Sequence, residues 1–448
     1  MRVAVIGTGH VGLVTAACFA HVGHDVVGMD DDAQKIAKLN RGEMPIYERA
    51  LGAIVESTRA AGRLTFTTDV CAAVRDQEMA FICVSTPPLP HGGADLSFVE
   101  NATRRIAGAA PKDLLVVEKS TVPANTGAWI ERTLAIYAGP GPGGGVEVAS
   151  NPEFLREGSA VYDTLHPDRV VVGVKSPRAA ARLRELYGPI FEGRFDCPIH
   201  KPCPPNGEVP FVVTSIQSAE LIKHASNAFL AAKISFINAV ADLCERVGAD
   251  VAQVAEGMGL DPRIGHAFLR AGLGFGGACF PKDIRALLRL AEEMGLDFGL
   301  LREVDRINRH RIDVAVEKLR KALWILRGKR VGLLGLAFKP HTDDVRQAPA
   351  LALAARLMEE GAEVVGCDPQ ARETAREAMP SLAITDDPYE MADGAEVLVL
   401  VTEWPEFLGL DWARVKRAMR RPIILDGRNA LDQEKIRAEG FEYLGMGR

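Results

Sequence analysis

Neither sign of charge dominates this chain. Its 53 lysines and arginines face 59 acidic residues, leaving a net charge of −6 spread without long runs. A nucleic-acid-binding protein ordinarily carries a basic face, so that class of partner is disfavoured. No uninterrupted apolar run approaches the roughly 18 residues that span a bilayer, and no membrane partner is expected. Met1 and Arg2 lead straight into the apolar residues 3–6, which leaves no room for a secretory leader. The eight cysteines include no C-x-x-C pair, so no metal site or disulfide framework is expected. These absences predict a reduced, soluble, cytoplasmic protein. What remains is ordinary globular composition, 47% hydrophobic and 25% charged, in 448 residues that suggest two or three domains.

The stretch richest in chemistry is residues 271–283, Ala-Gly-Leu-Gly-Phe-Gly-Gly-Ala-Cys-Phe-Pro-Lys-Asp. Gly272, Gly274, Gly276 and Gly277 let a backbone come close to a neighbour or take φ > 0. They lead into Cys279, and a nearby cation such as Lys282 favours the nucleophilic thiolate. Asp283 follows four residues on, one helical turn if Pro281 opens a helix at its first position. A nucleophile, a cation and a carboxylate can therefore share one small site. The plainer alternative is a glycine-rich turn ending in a buried structural cysteine; the glycines and the charged pair favour a catalytic thiol.

At the start of the chain, residues 3–6 form an apolar strand that feeds Gly7-Thr8-Gly9-His10-Val11-Gly12. An apolar helix over 13–21 and a strand over 25–29 follow, ending at Asp30. Strand, G-x-G-x-x-G, helix, strand and acid within about 30 residues make the dinucleotide-binding fingerprint. Gly7 makes the turn, Gly9 lets backbone approach a pyrophosphate, and Gly12 packs helix on strand. Asp30 would bind the ribose hydroxyls and repel a 2′-phosphate, which favours NAD over NADP. Further strands fit 80–84, 114–119 and 146–150. Their ends place Thr86 and Thr121 to touch a cofactor or, equally, to cap helices. Residues 139–145 read as a loop without function. In 151–158, Glu153 and Glu157 would share a face of a helical turn, as a general base for water or as a solvated face.

A helix is expected from 215 to about 247, long enough to join two domains and form a subunit interface. Lys223 and Asn227, at i and i+4, could stabilise an oxyanion or shuttle a proton; Lys223 could also simply snorkel. A second helical pattern covers 251–269. From 331 the chain repeats strand, helix and strand, ending at Asp368, without the glycine fingerprint. Lys339 and Arg428 are candidate contacts to an anionic ligand.

With these parts in order, the chain resembles the UDP-glucose/GDP-mannose dehydrogenase family over essentially its whole length. The motifs carrying the resemblance are 7–12, Pro45-Ile46-Tyr47-Glu48, 120–123, 151–158, Glu220-Leu221-Ile222-Lys223 with Asn227, and 274–283. Residues 154–158 and 165–169 look most like the members that act on UDP-glucose.

The resemblance implies an α/β fold of two Rossmann-like parallel-sheet domains, a long central helix and a helical dimerisation region. The expected divisions are 1–205 for NAD, 206–300 for dimerisation and the cysteine, 301–328 as helical linker and 329–448 for the UDP-sugar. It implies an NAD-dependent four-electron oxidation at C6, in a homodimer or higher homo-oligomer. Cys279 would form thiohemiacetal and thioester; Lys223 and Asp283 would handle protons; Lys223 and Asn227 would stabilise negative charge. Glu153 would activate water near Thr121. Cofactor contacts would fall on Val11, Asp30, Lys35, Thr86, Thr121, Glu157, Lys282 and Arg346. Nucleotide-sugar contacts would fall on Glu153, Phe154, Leu155, Arg156, Glu157, Lys223, Asn227, Phe268, Leu269, Arg270, Ala271, Gly272, Gly276 and Lys339, with Arg263 reaching a neighbouring subunit's substrate. The chain departs from the family's usual Pro-Gly at Arg49-Ala50 and from its Glu-Ser at Gln347-Ala348.

Overall fold

The computed structural model describes residues 1–138, 146–203 and 207–448. The stretch 139–145, read as a loop, lies outside the described residues. The chain forms two compact units, Met1–Ser226 and Asn227–Arg448, each with its own hydrophobic core.

In the first unit, eight strands make one sheet: β1 (Arg2–Ile6), β2 (Asp25–Met29), β3 (Leu64–Thr67), β4 (Met79–Ile82), β5 (Leu115–Glu118), β6 (Glu147–Ser150), β7 (Val170–Gly173) and β8 (Phe211–Thr214). Their order is β3-β2-β1-β4-β5-β6-β7-β8. Pairing is parallel except where Ser150 meets Gly173 antiparallel. Val3 and Val5 join one core while Ala4 and Ile6 join another, the two-residue alternation of a strand covered on both faces. Ile6 stands in register with Met29 and Ile82, so the carboxyl ends of β1, β2 and β4 align. That edge, at the reversal of strand order, is where doubly wound sheets bind ligands.

The second unit carries β9 (Arg330–Leu334), β10 (Glu363–Cys367), β11 (Ala383–Thr385), β12 (Val397–Leu400), β13 (Ile423–Asp426) and β14 (Glu442–Gly445). The order β11-β10-β9-β12-β13-β14 repeats the same winding. The expected α/β class of two Rossmann-like sheets is therefore what the chain forms.

The expected long helix runs from Ile216 to Val247, its 32 residues crossing the boundary between the units and stopping before Gly248 at φ +76°. By length and composition alone it could cross a membrane, although polar residues interrupt its apolar runs. Glu220, Lys223, His224, Asn227, Ser235 and Asn238 are buried along it, a polar load that suits a core helix.

One expected helix falls short, and one conditional helical turn does not form. The pattern over 251–269 yields a helix only at Val251–Gly259. Beyond it Pro262 and Gly265, the latter at φ +68°, break the run, and Asp261 caps a turn by accepting from the Arg263 N–H at 2.9 Å. Residues 151–156 are also irregular rather than helical. There the Glu153 carboxylate accepts from the Leu155 N–H at 2.5 Å, competing with a helical turn.

Candidate active site

In the first unit the glycine turn fits a dinucleotide position by position. A Cβ on Gly7, at φ +96°, would stand 2.6 Å from the Cys83 carbonyl oxygen, and one on Gly12 would overlap the Gly7 oxygen at 1.8 Å. A Cβ on Gly9 would meet nothing within 4 Å. Gly7 and Gly12 thus serve the turn and the helix packing, while Gly9 faces open space where a pyrophosphate can approach. The helix His10–His21 starts there with no capping side chain, so its positive end faces that space. Alongside lies a cleft of ≈ 220 Å³ bordered by Gly7, Gly9, Asp30, Lys35 and Ser85.

Asp30 ends β2 in that cleft. One carboxylate oxygen accepts from the Thr8 N–H at 2.8 Å and from Lys35 Nζ at 2.9 Å; the other accepts from the Asp32 N–H at 3.1 Å. Burial alone would raise this carboxyl. Lys35 and the two backbone donors outweigh it and hold the group below the usual carboxylate range. Thr86 donates to the Thr121 carbonyl at 2.9 Å, so the two expected cofactor threonines meet at the ends of β4 and β5. The corresponding acid in the second unit, Asp368, is saturated by its own chain. It accepts from the N–H groups of Leu336, Ala337, Gln370 and Ala371 and from Trp404 Nε1, and is 1% exposed. It locks the turn after β9 and has no spare acceptor for a ribose.

Also in the first unit, Glu153 Oε1 and Lys223 Nζ form an ion pair of 2.8 Å, both side chains 5% exposed. Lys223 Nζ lies 5.5 Å from the Phe154 ring centroid, and the Arg169 guanidinium covers that ring at 3.7 Å. Arg156 turns away to clasp Asp163, at 2.6 and 3.1 Å. Leu155 and Glu157 are half-buried beside it.

In the second unit Cys279 is exposed and stands at the N-cap of the helix Phe280–Glu293, with Pro281 in its first turn. A helix N-terminus favours a thiolate. Asp283 donates its N–H to the Cys279 carbonyl at 2.9 Å, the expected single turn. The Asp283 carboxylate, 1% exposed, accepts from Asn227 Nδ2 at 2.6 Å and pairs with Lys282 Nζ at 2.9 Å. The buried Asn227 and Asp283 and the half-buried Lys282 therefore form one polar cluster behind the thiol-bearing turn.

The glycines before Cys279 are close-packed against their own unit. A Cβ on Gly272 would lie 2.5 Å from the Gly427 oxygen, and one on Gly276 2.3 Å from the Gln347 oxygen. Asn308 exchanges two hydrogen bonds with the Phe275 backbone, at 2.8 and 3.0 Å. Arg311, fully buried, donates to the Gly272 carbonyl at 3.1 Å. Arg428, expected on an anionic ligand, donates to the Gly274 and Phe338 carbonyls and pairs with Glu403 at 2.9 Å. Arg270 lies 3.8 Å from the same Glu403. Arg346 forks onto Asp344, while its carbonyl accepts from the Gly277 N–H at 2.9 Å. Lys339 Nζ stands 5.4 Å from the Phe338 ring centroid. Phe268 holds φ +65°, and Leu269 and Ala271 are buried in the core beside them. Arg263 is 87% exposed, held by Asp261.

Three family models match in succession: the NAD binding domain over residues 1–191, the central domain over 217–310 and the UDP binding domain over 332–433. The chain belongs to the UDP-glucose/GDP-mannose dehydrogenase family. UDP-glucose 6-dehydrogenase of Rhizobium meliloti is 44% identical, with 100% of each chain covered. UDP-glucose 6-dehydrogenase TuaD of Bacillus subtilis is 42% identical over 100% of this chain and 93% of the relative. The structure of a UDP-glucose dehydrogenase from Pyrobaculum islandicum matches with a TM-score of 0.89 at 40% identity, over 100% of this chain and 97% of that one. NAD is the cofactor of the family's first domain, where the glycine cradle lies.

Sequence reading gave Glu48 no role beyond marking the family. Its buried carboxylate accepts from the N–H groups of Gly158 and Ala160, at 2.7 and 3.1 Å, and meets His10 Nε2 at 3.0 Å. It ties the start of the cofactor helix to the end of the 151–158 segment. Arg169 likewise only marked the family, while Asn308 and Arg311 were missed altogether because each acts on a residue far away in the chain.

Proposed function

We propose that this protein oxidises the C6 alcohol of UDP-glucose to the carboxylate through a thioester on Cys279, consuming two NAD⁺ and one water per sugar. The observation that carries this reading is full-length similarity to UDP-glucose 6-dehydrogenases, at 44% and 42% identity, in a chain that holds Cys279 at a helix N-terminus. NAD⁺, when bound, accepts the two hydrides that leave C6. Loss of the first, with the hydroxyl proton, gives the aldehyde. Cys279 Sγ then bonds to C6, and the carbonyl oxygen takes a proton to give a thiohemiacetal. Loss of the second hydride and the hydroxyl proton leaves a thioester. Water adds to C6, the C–S bond breaks, and the carboxylate and the thiolate are released.

The chain's own groups suit these steps. Lys223 and Asp283 carry protons with an ordered water, and Lys223 and Asn227 stabilise the oxyanion. Glu153, already an acceptor for the Lys223 ammonium, draws the proton from the hydrolytic water. The protein acts in the cytoplasm as a homodimer or higher homo-oligomer. Supporting assembly, Phe229, Phe236 and Leu243 recur at seven-residue spacing on the long helix and are 68%, 53% and 58% exposed.

The test is NADH yield with UDP-glucose as limiting substrate. Two NADH per sugar are expected, with Cys279→Ser stalling before release of the acid. One NADH per sugar, or normal turnover by Cys279→Ser, overturns the thioester route. Activity confined to GDP-mannose or UDP-N-acetylmannosamine overturns the substrate alone.

A further inference from the structure

We propose that His166, Cys197 and Cys203, with His200 as the fourth ligand, bind a structural zinc ion in the first unit. The donor atoms of His166, Cys197 and Cys203 all lie within 4.8 Å of one another. His166 Nε2 stands 3.4 Å from Cys197 Sγ and 3.5 Å from Cys203 Sγ, and His200 Nδ1 stands 3.9 Å from Cys197 Sγ. A tetrahedral zinc with Zn–S of about 2.3 Å and Zn–N of about 2.1 Å holds adjacent N and S donors about 3.6 Å apart. These three separations bracket that value. Two thiolates with two imidazoles form a donor set that selects zinc over magnesium or calcium, which demand oxygen.

The rings are held in place by their neighbours. Tyr162 stacks on His166 at 4.8 Å and 26°, Phe195 meets it edge-on at 5.4 Å, and Tyr162 meets His200 edge-on at 5.2 Å. The His200 N–H also points at Cys197 Sγ, 3.4 Å away, curling the Cys197–Cys203 turn around its sulfurs.

The location gives the ion a purpose. Among the described residues no helix or strand lies between Phe191 and Phe211, so this stretch has little backbone pairing of its own. A metal bridge would bind it to His166, and would thereby anchor the turn that presents Arg169 to the Phe154 ring. Three ligands come from Cys-x-x-His-x-x-Cys over 197–203 and the fourth from His166. That spacing contains no C-x-x-C pair.

The full-length protein, purified without a metal-affinity tag, is assayed for zinc, then stripped with chelator and titrated with Co²⁺. About one zinc per chain is expected, together with the thiolate charge-transfer and intense d–d bands of tetrahedral cobalt. Cys197→Ser and Cys203→Ser should each lose the charge-transfer signature of the pair and most of the zinc. His200→Asn should weaken binding at least about tenfold, and Cys71→Ser should change nothing. The wild-type cobalt spectrum stands even if a variant fails to fold. Less than about a tenth of an ion per chain with no charge-transfer band overturns the site. So does a Cys197–Cys203 disulfide in protein isolated under reducing conditions.

Discussion

At the scale of single residues, the Glu153–Lys223 pair is the most consequential contact in the first unit. A buried ion pair is costly to break from one side, because the survivor is left charged without a partner. Lys223→Met should therefore cost stability of about 3–5 kcal/mol as well as activity, which confounds its reading. Glu153→Gln also leaves Lys223 without a counter-charge, but it keeps the side chain's shape and one acceptor oxygen for Lys223 Nζ. It gives up the bond from the Leu155 N–H, so it is read by trapped intermediate as well as by rate. If Glu153 activates the hydrolytic water, Glu153→Gln should lower kcat about 10²–10⁴-fold. It should also trap the acyl group on Cys279, seen as a mass increase of the intact protein after mixing with UDP-glucose and NAD⁺. Turnover within about threefold of wild type, with no adduct, would remove Glu153 from the chemistry.

At the scale of elements, local patterns were legible and distant partnerships were not. The run from β1 through Gly7–Gly12 to Asp30 is contiguous, and each residue's job follows from its neighbours. The long helix was legible because no glycine or proline interrupts 216–247. In contrast, the helical pattern at 251–269 failed at Pro262 and Gly265, and the helical turn that would have put Glu153 and Glu157 on one face gave way to a side chain capturing a backbone donor. The glycines at 272–277 announced close approach but not its object, which proves to be Gly427 and Gln347 of the same unit. Two substitutions of opposite sign follow. Gly276→Ala drives a Cβ into the Gln347 carbonyl, which is backbone and cannot swing aside, so a loss of about 1–3 kcal/mol is expected along with reduced kcat. Ala50 sits at φ +66° before the helix Leu51–Ala60. Ala50→Gly should relieve that strain and stabilise the protein by about 0.5–1 kcal/mol. Thermal denaturation of the two variants beside wild type decides both; an unshifted Gly276→Ala would mean the loop is not packed as described.

At the scale of the whole molecule, the question is whether one chain completes its own site. Arg263 belongs to the broken end of the 251–269 segment, where the turn that ends the helix lifts its guanidinium into solvent at 87% exposure. Its fork onto Asp261 fixes its direction without covering it. An arginine so oriented, on a unit that also exposes the Phe229, Phe236 and Leu243 stripe, suits donation to a neighbouring copy's substrate. The consequence is complementation between two dead variants. Arg263→Ala and Cys279→Ser should each be nearly inactive alone. In a mixed dimer, the site holding the intact Cys279 receives the intact Arg263 of the other chain, while the reciprocal site lacks both. Random reassortment makes about half the dimers mixed, each with one working site of two, so about a quarter of wild-type activity should return. The mixture is dissociated and reassembled before the assay, and a double variant mixed with wild type serves as control. If Arg263 instead serves its own chain's site, no reassortment restores that site, and activity stays at the sum of the two variants.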